Sequence, residues 1–335
     1  MTSPWVALLA ATACDGNGGG GNDTKDDTGS TCTVEFEESY PEDGAVDVYY
    51  RTRLSCELTD PDPFGANLEI DGVTGDVSAE GDTLWFDPHA PLDPNTTYTA
   101  TCSWCGGSKT ITFSTSDLGT PLADPDALAG RVFSIPFGEC RIAEPSELAS
   151  QLYDYLTQVD LLQVDAVGDG TIEMTNALAS GTSTTQDHCI PTTAFDGADF
   201  SESPYFEASA DCMIIVLQGE VVRLQEVQFH GTFTADGLGL GGGEVSYVMD
   251  TRPFDQFVGG EEGDLCAAAR NLGAECFACP DGAGDFCLSF LLDECAGEVV
   301  DGGSVVEVDG VDCVDCDLGP PAEDAVCDTG TSCAE

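Results

Sequence analysis

Apolar and polar residues alternate with a period of two along most of the chain from Thr33 onward, the spacing of half-buried strands rather than of helices. Val34 and Phe36 alternate with Glu35 and Glu37. The same pattern returns at Leu54, Cys56 and Leu58, at Leu84 and Phe86, at Tyr98, Ala100, Cys102 and Trp104, and at Ile111 and Phe113. Gly, Pro, Asn and Asp punctuate the gaps. Short strands at this spacing, with no helical stretch among them, predict an antiparallel β-sandwich over residues 33–117. A Pro- and Gly-containing linker, 118–125, opens a second β-rich region that runs to 319. Strands are expected at 131–135, 160–167 and 171–175, and a hairpin at 213–217 and 221–225 turns on Gln218-Gly219-Glu220. Val227, Phe229 and Phe233 then lead to the Asp236-Gly237 turn, and Val245, Tyr247 and Met249 return from it. This antiparallel meander predicts a curved sheet or partial barrel. Two helices interrupt it. Leu148, Leu152, Tyr155 and Val159 form a stripe over 145–159, and Leu265, Ala268, Ala269 and Leu272 form a shorter one ending at Gly273. The fold class expected is mainly β, with two short helices, a Cys-rich part at 266–316 and a tail at 320–335.

The N-terminus follows a different pattern. Trp5 to Ala13 is an apolar run that fits the core of a signal peptide and is far too short to span a bilayer. It ends Leu8-Leu9-Ala10-Ala11-Thr12-Ala13-Cys14, with glycines behind, and so resembles a bacterial lipobox. Ala11 stands where that motif usually has Leu, and no Lys or Arg precedes the run. The resemblance implies a signal peptide at 1–13, a diacylglycerol on Cys14, and a lipid-anchored place in the cell envelope, where cysteines meet an oxidising environment. Residues 14–32, rich in Gly, Asp, Asn, Ser and Thr, read as a disordered tether of roughly 20–25 Å end to end. No later stretch is apolar enough to cross a bilayer.

Charge narrows the partners. Asp and Glu number 62 against nine Lys and Arg, a formal net charge of −53. Nucleic acid and anionic headgroups are excluded as partners, because the phosphate attraction that drives such binding would be repulsion. The acidity serves either surface solvation or Ca²⁺ binding, and its spread along the whole chain favours solvation. Of 17 cysteines, setting aside Cys14 leaves 17 − 1 = 16, an even number that suits a disulfide framework.

A family likeness covers the first domain. Tyr40-Pro41-x-Asp43-Gly44-Ala45-x-Asp47-Val48, then Gly72-x-x-x-Gly75, Phe86-x-Pro88-x-x-x-Leu92-x-x-Asn95-Thr96-Thr97-Tyr98 and Phe113-Ser114-Thr115 resemble the bacterial Ig-like domain of the SbsA (S-layer-associated) type. The resemblance implies an Ig-like sandwich that acts as a spacer and interaction module of bacterial surface proteins. The cysteines depart from that family. Asp250-Thr251-Arg252-Pro253 and the Cys-rich run after it resemble second domains of acidic lipoproteins of myxobacterial type, which implies location and architecture but no activity. On strand parity, Cys56 and Cys102 both point inward and are expected to form a sheet-to-sheet disulfide. Cys32 is expected with Cys105, in preference to a local Cys102–Cys105 link.

Candidate chemistry is sparse. Cys102/Cys105, Cys276/Cys279 and Cys313/Cys316 each have Cys-x-x-Cys spacing. In an exported chain, disulfides among Cys266, Cys276, Cys279, Cys287 and Cys295 are preferred to a four-thiolate zinc site, and no pair opens a helix in a redox βαβ setting. His89, His188 and His230 are the only histidines. His188 adjoins Cys189, but neighbours on a strand face opposite ways, and Cys189 is expected in a disulfide with Cys140 or Cys212. The run from Gly239 to Gly243 reads as a glycine-rich hairpin, not a phosphate cradle. Asp60-Pro61-Asp62 and Asp309 to Asp315 crowd carboxylates as weak Ca²⁺ candidates without the EF-hand pattern. Catalytic, cofactor and resident-metal residues are therefore not expected. The leading expectation is a non-enzymatic, lipid-anchored envelope protein whose sandwich displays a binding or structural domain to an envelope protein or polysaccharide. The alternatives are a carrier with an apolar cavity in the second domain, and an extracytoplasmic hydrolase.

Overall fold

The computed structural model describes residues 32–308 apart from 154–155, 218–219, 281 and 283. Cys14, the tether, Cys313, Cys316, the 309–315 carboxylates and the tail lie outside the described residues. The sandwich comprises β1 (Phe36–Tyr40), β2 (Leu54–Leu58), β3 (Asn67–Ile70), β4 (Gly75–Glu80), β5 (Thr83–Pro88), β6 (Thr97–Trp104) and β7 (Gly107–Ser114). One sheet runs β1-β2-β5-β4 and the other β3-β6-β7. Alternation fixes what faces inward: Leu54, Leu58 and Phe86 from the first sheet meet Leu68, Ile111 and Phe113 from the second, all buried. Each such side chain contributes about 1.5–3 kcal/mol of burial. Cys56 on β2 bonds Cys102 on β6 across this core, and Cys32 bonds Cys105.

The second region is an eight-stranded antiparallel barrel. Its strands are β8 (Val132–Pro136), β10 (Val159–Val167), β11 (Thr171–Leu178), β12 (Thr193–Asp199), β13 (Tyr205–Leu217), β14 (Glu220–Phe233), β15 (Gly239–Asp250) and β16 (Cys287–Val299). They follow one another round the wall, and β16 pairs with both β15 and β8. The sheet expected as a partial barrel is therefore closed. β9 (Arg141–Glu144) adds outside β16. Eight strands leave an interior just wide enough for side chains. Phe133, Phe195, Phe206, Phe229 and Phe233 are all buried there. Phe206 and Phe233 pack with ring centroids 5.1 Å apart, and Phe133 and Phe233 with centroids 5.2 Å apart. Along β14 the inward parity changes from Val222 and Leu224 to Val227 and Phe229 at Glu226, whose φ of +53° inserts a kink.

The helix expected over 145–159 is shorter than that span. A 3₁₀ turn at Ser146–Leu148 leads into α1 (Ala149–Leu152), and Val159 already belongs to β10. Leu148 and Leu152 do face the barrel core. Backbone bonds from the Tyr153 N–H to Ala149 and from the Leu156 N–H to Leu152 carry the helical pattern past α1, and pairing of Val159 with Pro136 starts the strand. The second helix, α2 (Asp264–Leu272), forms as expected and ends at Gly273, which takes φ +105°. Its buried residues are Cys266 and Ala269, while Leu272 is exposed. Asp255 organises this cap: its carboxylate accepts from the backbone N–H of Gly263 and of Leu265, both at 2.8 Å. Cys266–Cys276 and Cys279–Cys287 fasten the loop, and Cys140–Cys295 ties the β9 side to β16.

Sandwich and barrel meet in a defined joint. The Tyr49 hydroxyl lies 2.8 Å from the Oγ1 of buried Thr232 on β14. Arg51 pairs with Glu202 and sits over the Tyr205 ring, 3.6 Å from its centroid. The glycine run expected as a hairpin is instead the first half of β15, and it serves the joint. A Cβ at Gly242 would enter the Tyr49 ring, and one at Gly241 would come within 2.8 Å of Leu118.

Candidate functional site

The wall of the barrel is weakest between β12 and β13. β12 is laddered to β11, yet it pairs with β13 only where Asp199 faces Glu207. Its own sequence supplies the cause. A bulge opposite Glu173, with Gly197 at φ +66°, shifts the register of β12 midway, and a bulge bends its strand and interrupts pairing. Over this seam lies an open groove of about 370 Å³. Buried Phe195, Ala198 and Ala208 form its floor, and Asp199, Glu207, Ser209, Gln228 and His230 stand around it. A second hollow of about 270 Å³ shares Asp199 and Glu207 and reaches the joint at Arg51, Glu202 and Tyr205.

Register assembles the polar side chains. Glu207 on β13 faces His230 on β14, which faces Glu244 on β15. His230 Nδ1 is 3.7 Å from Glu244 Oε1. The Tyr205 hydroxyl donates to Glu207 Oε1 at 3.0 Å. Burial, and then the Glu207 carboxylate, push that phenol well above its ordinary range, so it remains a donor. The arrangement can present hydrogen-bond donors and acceptors to a ligand, with the His230 imidazole set between two carboxylates in register. A nucleophile–base pair would need a hydroxyl bonded to the imidazole. Ser209 lies opposite Gln228 instead, and no Ser209–His230 bond forms among the described residues.

The residues singled out from sequence fall elsewhere. His89 pairs with Asp76 at 3.2 Å on the exposed sandwich surface. His188 and Cys189 lie in a turn rather than on a strand. Cys189 and Cys212 are each disulfide-bonded, to partners outside the described pairs, and Cys140 bonds Cys295, so the expected Cys140–Cys189 pairing does not form. Cys102, Cys105, Cys276 and Cys279 all pair outside their own Cys-x-x-Cys units, so none is a free thiolate for zinc. Asp62 commits its two carboxylate oxygens to the N–H groups of Phe64 and Cys105, bracing a turn instead of waiting for Ca²⁺. Among the described residues no group of three or more His, Cys, Asp or Glu is placed to hold a metal ion. No described helix is long and apolar enough to cross a membrane. Asp199 and Glu207 were not singled out because two carboxylates among 62 acidic residues carry no signal. His230 carries no local spacing that marks it as part of a site.

No protein-family model and no curated protein matches the chain. Among solved structures, an L,D-transpeptidase from Mycobacterium smegmatis is similar at 13% identity and a TM-score of 0.26, over 59% of this chain and 76% of that one. L,D-transpeptidase 1 of Mycobacterium tuberculosis gives 11% identity and a TM-score of 0.22 over the same shares. Superpositions this loose carry no argument about fold or activity.

Proposed function

We propose that this is a non-enzymatic, lipid-anchored protein of the cell envelope, in which an Ig-like module of the SbsA type holds a disulfide-stapled barrel away from the membrane as a binding or structural element. One observation carries the choice between binding modes: aromatic side chains fill the barrel, whereas its polar groove opens outward beside a rigid joint. A carrier of an apolar ligand needs the reverse, an apolar hollow inside. The partner is then a component of the envelope that meets the outer face between Asp199 and His230. The Cys14 anchor and the disulfide pairs belong to the same reading, since both suit an oxidising compartment.

The test uses the full-length protein in its native membrane. Wild type should incorporate radiolabelled fatty acid and fractionate with the membrane, and Cys14→Ala should lose both properties. Purified full-length protein should co-sediment with isolated envelope material, and Ser209→Trp, which fills the groove, should weaken this at least tenfold. Unchanged labelling in Cys14→Ala removes the anchor, and unchanged sedimentation in Ser209→Trp removes the groove. Hydrolysis of an ester or peptide substrate that is lost in His230→Ala would replace the binding role with an enzymatic one.

A further inference from the structure

One carboxyl lies inside the barrel instead of on its surface. Asp160 shares the inward parity of Leu162 and Val164 on β10 and is 2% exposed. Its Oδ2 accepts from the side-chain amide of Asn176 on β11, while its Oδ1 is buried without a hydrogen-bond partner among the described residues. Gln158 stands two residues earlier, on the same inward parity. Its Nε2 donates to the Val216 carbonyl on β13 at 3.0 Å, and its Oε1 is also buried without a partner. Two buried acceptors, two residues apart in the chain, thus lack a donor, and buried polar groups rarely go unpaired. A single proton cures both deficits. On Asp160 Oδ1 it would turn one orphan into a donor that can serve the other, linking Asn176, Asp160, Gln158 and Val216.

The surroundings favour the neutral acid. Ile135 on β8, Phe137 beyond its end, Leu178 on β11 and Ile215 on β13 are apolar and buried in this core. No charged side chain acts on Asp160: only burial and the Asn176 amide do so, and burial pushes the carboxyl up to about 7 against the pull of the amide. The network also adjoins the weak seam. Asn176 pairs in register with Thr193 on β12, and Val216 lies on β13.

We propose that Asp160 is a proton-binding latch: the folded barrel holds it neutral, its Oδ1–H donating to Gln158 Oε1, and release of that proton to solvent loosens the end of the barrel beside the β12–β13 seam. The sign follows from linkage. An unfolded Asp releases its proton near pH 4, whereas the folded one keeps it until about 7. Through that window the folded state holds one more proton, so this residue's contribution to stability falls as pH rises from about 4 to 7 and is flat above.

Asp160→Asn imitates the neutral acid, because its amide can donate to Gln158 at any pH. The ratio of unfolding constants, wild type over variant, should rise about tenfold per pH unit between 5 and 7. At pH 8, amide exchange in β12 and β13 should be slower in the variant than in wild type. Infrared spectra of wild type should keep a protonated-carboxyl band at pH 6, and this readout does not depend on the variant folding. A variant less stable than wild type at pH 8 would overturn the latch in favour of a charged Asp160 bridged by water. A wild-type melting temperature that climbs with Na⁺, K⁺ or Ca²⁺, beyond the response of the variant, would overturn it in favour of a bound cation. Absence of the infrared band at pH 6 would overturn it outright.

Discussion

At the scale of single residues, the joint depends on what Gly242 lacks. Its φ is +56° and the Tyr49 ring occupies the space a Cβ would take. Gly242→Ala should therefore cost roughly 1–3 kcal/mol, combining backbone strain with overpacking. Urea unfolding measures this, and a Tyr49→Ala background should return part of the loss, because the clash then has no second partner. An equal cost in both backgrounds would place the strain in the backbone alone. Some residues announced their roles in the sequence. Cys56 and Cys102 were readable as an inward pair because each sat on a clean alternation. Asp160 was not, since it opens an apolar run and only the closed barrel reveals which way it points. Glu207 and His230 meet through a register that no local spacing encodes.

At the scale of elements, alternation located strands with a clean period of two and missed those whose pattern is interrupted. β12 is interrupted by its Gly197 bulge, and β16 breaks its alternation at Asp293-Glu294. β16 pairs with β15, β8 and β9, so its place in the sheet is set by three partners distant in sequence. The stripe over 145–159 looked helical because Leu148 and Leu152 do pack on one side, but at Val159 pairing with β8 takes over. The cap makes a quantitative case. Asp255 is buried and accepts the first backbone donors of α2. Asp255→Ala strands both and should cost about 1–3 kcal/mol. Exchange of the α2 amides should quicken while β10 and β11 stay protected. Uniform loss of protection would make the cap part of the global folding unit.

At the scale of the whole molecule, charge and closure dominate. With a net charge of −53, the compact state repels itself, and salt shortens the reach of that repulsion to about 8 Å at physiological strength. The melting temperature should therefore rise by several degrees between 10 mM and 500 mM NaCl. A flat or falling curve would mean that ion pairs such as Arg141–Asp293, at 2.5 Å, outweigh the repulsion. The sandwich and meander were legible in sequence because both are built of neighbours in the chain. Closure was not, because β8 and β16 meet across more than 150 residues of intervening chain. That same pairing constrains how the protein is made. A chain that emerges N-terminus first, from the ribosome or through a membrane under the proposed export, completes its sandwich while the last wall strand is still behind, so the barrel stays an open sheet with a bare edge until β16 arrives. Cys140 must wait as long for Cys295, 155 residues downstream, and a thiol left waiting can be captured by the cysteines of the cap that emerge before it. Productive biogenesis thus favours slow oxidation or an isomerase that reopens early pairings, and contact order makes closure the late step of folding.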